Sequence, residues 1–242
     1  MDEITGRVHS VETFGALDGP GIRYVLFLQG CPLRCIYCHN PDSWSFGCGK
    51  PMSVGEVMCD LQKYRNFIKS GGITLSGGEP LMQSRFCAAI IAECKTRGIH
   101  TAIDTSGVVS LDICEDSVRE ADLLLLDIKA LDPELARKIT GFDNYNALKM
   151  LDYRESVKKP VWIRHVLLNG YTMEEKPLRE LAQFLSGYSV IEKIELLPFH
   201  KMGEYKWSAL DLTYSLGEAE PPSKEQIAFA KGIMREYGLA AP

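Results

Sequence analysis

The sequence predicts an α/β fold, a partial barrel of six β/α units with an open lateral mouth. Three observations predict it. Short apolar runs rich in Val, Ile and Leu alternate with longer stretches of helical spacing, the signature of parallel β/α units. Runs such as LLLLDIK are near-continuous apolar segments, as strands covered on both faces require. The units number six, short of the eight that close a barrel, so the sheet is expected to stay open. No repeat, low-complexity tract or long linker interrupts the 242 residues, and one domain spanning 1–242 is expected.

The first strand runs from Ile22 to Leu28 and leads into GCPLRCIYCHN. A helix over 53–69 follows, with Ser53 and Glu56 as a capping box. The second strand, Ile73 to Leu75, ends on SGGE, and the next helix, 83–97, is closed by Gly98. The third strand, Thr101 to Asp104, opens into DTSG, before a helix over 111–119. The fourth, Leu123 to Ile128, ends on DIK, before a helix over 144–158. Val161 to Leu168 and Ile194 to Leu197 complete the strands, each followed by a helix, 174–186 and 223–236. Polar residues thus appear abruptly at the C-terminal ends of strands, the rim where β/α folds bind ligands.

The chain carries 27 Lys and Arg against 32 Asp and Glu, a net charge of −5, which argues against a nucleic-acid binder. The N-terminus MDEITGRVHS lacks the basic and apolar regions of a secretory signal, and no apolar run approaches the roughly 20 residues of a membrane span. A cytoplasmic protein without membrane partners is expected. Eight cysteines in 242 residues are too sparse for a disulfide scaffold, and in a reducing compartment clustered thiols point to metal.

Three of those cysteines crowd into Cys31-x3-Cys35-x2-Cys38, on a loop with Gly30 and Pro32. Three thiolates on a short loop can wrap one face of an iron-sulfur cube and leave one iron open. A zinc site completed by His39 and a set of core cysteines are the competing readings, although His39 directly beside Cys38 is awkward for a shared ion. Cys48, Cys59, Cys87, Cys94 and Cys114 belong to no motif and are expected in the core.

The cysteine motif, with Tyr37 before its last member, resembles that of the radical S-adenosylmethionine enzymes, and SGGEP at 76–80 is similar to that family's methionine-binding segment. The resemblance extends to the glycyl-radical-enzyme activases through DGPGIR at 18–23, DTSG at 104–107, LDIK at 126–129, WIRHV at 162–166 and ELLPFH at 195–200. Only about 40 residues separate Cys38 from the GGE segment, too few for the inserted ferredoxin-like region of many activases, and this favours the pyruvate formate-lyase branch.

The resemblance implies a 4Fe-4S cluster on Cys31, Cys35 and Cys38, with S-adenosylmethionine (SAM) chelating the open iron. An electron then splits SAM into methionine and a 5'-deoxyadenosyl radical, which takes hydrogen from a backbone glycine. It implies SAM contacts from Tyr37, Cys38, His39, Gly77, Gly78, Glu79, Asp127, Ile128, Lys129 and His200. Asp127 and Lys129 alternate with Ile128 and so face one side of the strand, where a plain salt bridge is the competing reading. By the same resemblance, Asp104, Thr105 and Asp127 hold a monovalent cation, while Asp18 and Arg164 grip the glycine loop of the protein substrate. A turn residue and an internal ion pair are the simpler roles for those last two. Pyruvate formate-lyase is the implied partner, a flavodoxin or ferredoxin the implied electron donor, and a monomer the expected state. A different glycyl radical enzyme, or a small molecule as in the carboxy-deazaguanine synthases, is the alternative substrate, and a zinc-dependent binding module is the alternative from another class.

Overall fold

The computed structural model describes residues 3–242. The chain divides into two compact units of interleaved segments. Unit one takes in the chain to Pro32, Ser43–Thr105 and Val109–Leu125, and unit two takes in Leu33–Asp42, Ser106–Val108 and Leu126–Pro242. Among the described residues no helix is long and apolar enough to cross a membrane.

Unit one holds β1 (Thr5–Gly15), β2 (Arg23–Leu28), β3 (Lys50–Ser53), α1 (Val54–Lys63), β4 (Gly72–Gly77), α2 (Ser84–Thr96), β5 (Thr101–Thr105), α3 (Leu111–Glu120) and the start of β6 (Leu123–Asp127). Its strand order is β3-β1-β2-β4-β5-β6. β1 runs antiparallel to both β2 and β3, whereas β2, β4 and β5 are parallel. Unit two holds the end of β6, α4 (Pro133–Thr140), α5 (Tyr145–Ser156), β7 (Val161–Leu167), α6 (Glu175–Leu185), β8 (Ile191–Pro198), α7 (Glu204–Ala209) and α8 (Lys224–Glu236), in the strand order β6-β7-β8. β7 and β8 are parallel.

All six expected strands are present, and Leu123 through Leu126 are buried, as a strand covered on both faces should be. Full burial stabilises each such leucine by roughly 1.5–3 kcal/mol relative to exposure, an upper bound because the unfolded chain already hides some surface. β1 and β3 were not among the expected strands, so the parallel sheet gains an antiparallel edge. The helix expected over 53–69 ends at Lys63. Beyond it Phe67 and Ile68 both donate backbone N–H to the Tyr64 carbonyl, so the chain tightens into turns ahead of the Gly71-Gly72 pair.

The Ser53 capping box forms: the Ser53 N–H donates to Glu56 Oε2 at 2.8 Å and the Glu56 N–H to Ser53 Oγ at 3.2 Å. Gly98 takes the left-handed conformation past α2, with φ +60° and its N–H on the Lys95 carbonyl. Cys87, Cys94 and Cys114 are buried as expected, but Cys48 and Cys59 are exposed. Cys48 sits in a loop between Gly47 and Gly49, and Cys59 lies on the solvent side of α1, whose buried face is Val57, Met58 and Leu61.

Candidate functional site

In unit one the site begins where β2 and β4 end side by side. Leu28 pairs with Gly77, so the chain segments leaving the two strands start as neighbours. The Gly78 N–H donates to the Leu28 carbonyl and the Glu79 N–H to the Gly30 carbonyl, both at 2.9 Å. The Gly30 N–H reaches the Ser43 carbonyl at 2.8 Å and the Cys31 N–H the Trp44 carbonyl at 3.1 Å. These bonds zip the SGGE segment to the base of the cysteine loop and account for both glycines. A Cβ on Gly77, which has φ +119°, would lie 2.2 Å from the Leu28 nitrogen, and one on Gly78 would lie 2.5 Å from the Gly30 oxygen. The immediate demand for glycine therefore comes from the chain's own backbone.

Glu79 is fully buried. Its Oε1 accepts the Leu81 N–H at 3.0 Å, capping the 3-10 turn Pro80–Gln83, and the Thr105 hydroxyl at 2.7 Å. The Ser76 hydroxyl donates to Asp104 Oδ2 at 2.7 Å. Asp104 and Thr105, offered by the sequence as cation ligands, are thus tied to the SGGE segment. Asp18 precedes β2 while Cys31 follows it, so the length of the strand, about 20 Å for six residues, separates the two. The loop carrying Asp18 is built over buried Arg23, whose guanidinium donates to the Pro20 carbonyl at 3.2 Å, and the Thr74 hydroxyl donates to the Asp18 carbonyl at 2.6 Å.

In unit two, the Cys38 N–H donates to the Cys35 carbonyl at 3.0 Å, and the Arg34 and Ile36 N–H groups donate to the Thr140 and Ile139 carbonyls at the end of α4. Cys31 and Cys35 are buried, Cys38 is half-buried, and none of the three is in a disulfide. Burial pushes the Cys35 thiol up to about 12, against the pull of Lys129. Such a sulfur ionises readily only when a metal compensates the charge, and the donor set therefore suits a thiolate-bound cluster. Among the described residues, no three His, Cys, Asp or Glu side chains are already gathered to hold a metal ion.

Lys129 Nζ binds Asp127 Oδ2 at 2.7 Å and lies 5.7 Å from the centre of the Tyr37 ring. Burial works against the Lys129 charge, but Asp127, Tyr37 and Cys35 outweigh it and hold its pKa well above the usual value. Ile128 is fully buried between the two, and its carbonyl faces His165 Nδ1 at 2.7 Å. His39 and His200 stack with ring centres 4.2 Å apart, and His39 Nε2 donates to the His200 carbonyl at 3.1 Å. Tyr37 Oη and His200 Nδ1 are buried without a hydrogen-bond partner in the chain. Buried polar atoms demand partners, so a polar, aromatic ligand such as a nucleoside fits here. Arg164 Nε pairs with Glu195 Oε2 at 2.9 Å, the internal ion pair that was the simpler expectation.

Sequence reasoning missed the clamp made by the start of α7, where Gly203, Lys206 and Trp207 meet residues 38–42. The spacing Gly203-x2-Lys206-Trp207 shortly after His200 was its only trace in the sequence.

A family profile for the Radical SAM superfamily matches residues 25–182. The chain is 38% identical over 239 residues to the pyruvate formate-lyase 1-activating enzyme of Escherichia coli K12, covering 97% of each chain. It is 40% identical over 242 residues to the pyruvate formate-lyase-activating enzyme of Listeria monocytogenes, covering 97% of this chain and 98% of that one. A crystal structure of a domain of such an enzyme from Bacteroides vulgatus is 29% identical and superposes with a TM-score of 0.60, over 71% of this chain and 98% of the other.

Proposed function

The chain belongs to the radical SAM superfamily and, within it, to the pyruvate formate-lyase-activating enzymes, and from that premise we propose how its residues install a glycyl radical on pyruvate formate-lyase. When bound, the 4Fe-4S cluster supplies the one electron that splits SAM into methionine and a 5'-deoxyadenosyl radical, and this radical takes a hydrogen atom from a backbone glycine of the partner.

The chain's own part is to hold and orient. Cys31, Cys35 and Cys38 hold three irons. Gly77, Gly78 and Glu79 present backbone beside the base of the cysteine loop and would hold the methionine portion of SAM. Tyr37, His39 and His200 receive the nucleoside, and the unpartnered Tyr37 Oη and His200 Nδ1 support this assignment. Asp127 and Lys129, set by Ile128 between them, serve the ribose and carboxylate. Asp104 and Thr105, tied to the SGGE segment, are assigned to a monovalent cation.

Arg164, its Nε side anchored by Glu195, donates to carbonyls of the partner's glycine loop. Asp18 serves the same partner from the far end of β2, and a segment touching both Asp18 and Cys31 must run about six extended residues. A flavodoxin or ferredoxin supplies the electron, and the enzyme works as a cytoplasmic monomer.

The observation that carries this reading is the zipping of the SGGE backbone to the base of the three-cysteine loop, Glu79 N–H to Gly30 carbonyl and Gly78 N–H to Leu28 carbonyl. Anaerobic reconstitution tests it. A brown protein with about four irons and four sulfides per chain, whose cluster spectrum changes on adding SAM, is expected. A colourless protein that takes up zinc alone would sink it.

A further inference from the structure

We propose that α7 is a clamp on the segment carrying the third cysteine, and that Trp207 is its positioning residue. The inference rests on the reading of Cys38 as a cluster ligand. Cys38, His39, Asn40 and Asp42 are each held from 200–207. Trp207, buried, donates its indole N–H to the Cys38 carbonyl at 2.8 Å. Gly203 lies against His39, where an added Cβ would come within 2.5 Å of the His39 Cα. Lys206 Nζ reaches Asn40 Oδ1 at 2.8 Å and Asp42 Oδ2 at 3.0 Å. His39 in turn donates to the His200 carbonyl at 3.1 Å.

The bond to Cys38 does more than fill space. The Cys38 N–H is fixed by the Cys35 carbonyl and its C=O by Trp207, so both peptide planes flanking its Cα are pinned. Pinning them sets the direction of the Cα–Cβ bond and so limits Sγ to the staggered rotamers about it. The same C=O begins the peptide that leads into His39, so one indole N–H governs both a cluster ligand and the stacked His39–His200 pair. The Trp207 ring is itself held by Tyr214, with ring centres 5.3 Å apart at 59°. Its donor direction is therefore preset rather than selected by the loop.

Replacing Trp207 by Phe keeps an aromatic side chain, though a smaller one, and removes the donor. The full chain is reconstituted anaerobically beside wild type and Tyr205→Ala, a change on the same helix at a residue 68% exposed. For Trp207→Phe we expect iron and sulfide close to wild type, altered g-values of the reduced cluster with a smaller change on adding SAM, and a SAM half-saturation raised roughly five- to tenfold, the scale of one buried hydrogen bond. Tyr205→Ala should match wild type in all of these. A residue that merely packed would lower yield or Tm without moving the spectrum per cluster.

Wild-type spectra and half-saturation in Trp207→Phe, or an equal change in Tyr205→Ala, overturn the clamp. If Trp207→Phe does not give folded protein, Lys206→Met, which releases Asn40 and Asp42, is judged by the same two criteria. A wild-type chain that builds no cluster overturns the reading of Cys38 and this inference with it, whereas a wild-type cluster unchanged in the variants overturns the clamp alone.

Discussion

Cys35 and His165 show how burial fixes what a residue can do. Cys35 is buried with a thiol raised to about 12, so without metal it is a poor nucleophile and holds its proton. Replacing it by Ala should abolish 5'-deoxyadenosine formation, measured chromatographically after anaerobic incubation with SAM and a reductant. Turnover persisting in that variant would remove Cys35 from the ligand set. His165 is buried with its pKa lowered, by burial first, with Lys129 adding to the effect and backbone hydrogen bonds to Ile128 and Thr172 opposing it. Above the free value of 6.5 the folded and unfolded rings are both neutral, and the stability contribution is whole. Below it the unfolded ring takes up a proton that the folded ring refuses, so stability falls with pH. Tm of wild type should therefore drop between about pH 7.5 and 5.5, and His165→Gln should drop less. Parallel slopes would refute the assignment.

Residue types in the site were largely legible in the sequence, but their partners were not. The alternation Asp127-Ile128-Lys129 correctly puts the two charged side chains together. The Glu79–Thr105 and Ser76–Asp104 bonds join residues 26 and 28 positions apart, a separation that only the parallel pairing of β4 and β5 closes.

At the scale of elements, strands announced by apolar runs were found, and those without one were missed. β1 buries Gly6 and Val8, but its pairing with β2 is irregular between Val8 and Ser10, which breaks the period-2 pattern. β3 is four residues long and contains Pro51, tolerable only at an edge. α4 had its signals in the sequence: Asp132 accepting the Leu135 N–H, Pro133 in the first turn, and Gly141 at φ +85°. α7, six residues with no side-chain cap, had none beyond its spacing from His200.

Two substitutions separate a local device from a shared one. Ser53→Ala removes one half of the α1 capping box and should cost about 1 kcal/mol in denaturant unfolding. Gly77→Ala forces a Cβ onto the Leu28 backbone at a positive φ, and should cost on the order of 3 kcal/mol or more, with loss of cluster uptake, because the same backbone bonds seat the cysteine loop. Equal losses in the two variants would mean that the junction of β2 and β4 yields more easily than its contacts imply.

For the whole molecule, the open parallel sheet and the ordering of motifs along it were readable because apolar runs mark the parallel strands and SGGE, DTSG and DIK mark the ends of three of them. The antiparallel edge and the division into two units were not, since neither leaves a periodic trace in sequence. The cysteine triplet and near-full-length similarity to curated activases converge on one reaction. The most direct measurement is electron paramagnetic resonance of pyruvate formate-lyase after anaerobic incubation with the reconstituted chain, SAM and a reductant. A glycyl radical doublet on the partner, with 5'-deoxyadenosine formed in step with it, is the predicted result. Formation of 5'-deoxyadenosine with no doublet on pyruvate formate-lyase, alongside a doublet on another glycyl radical enzyme, would contradict the account.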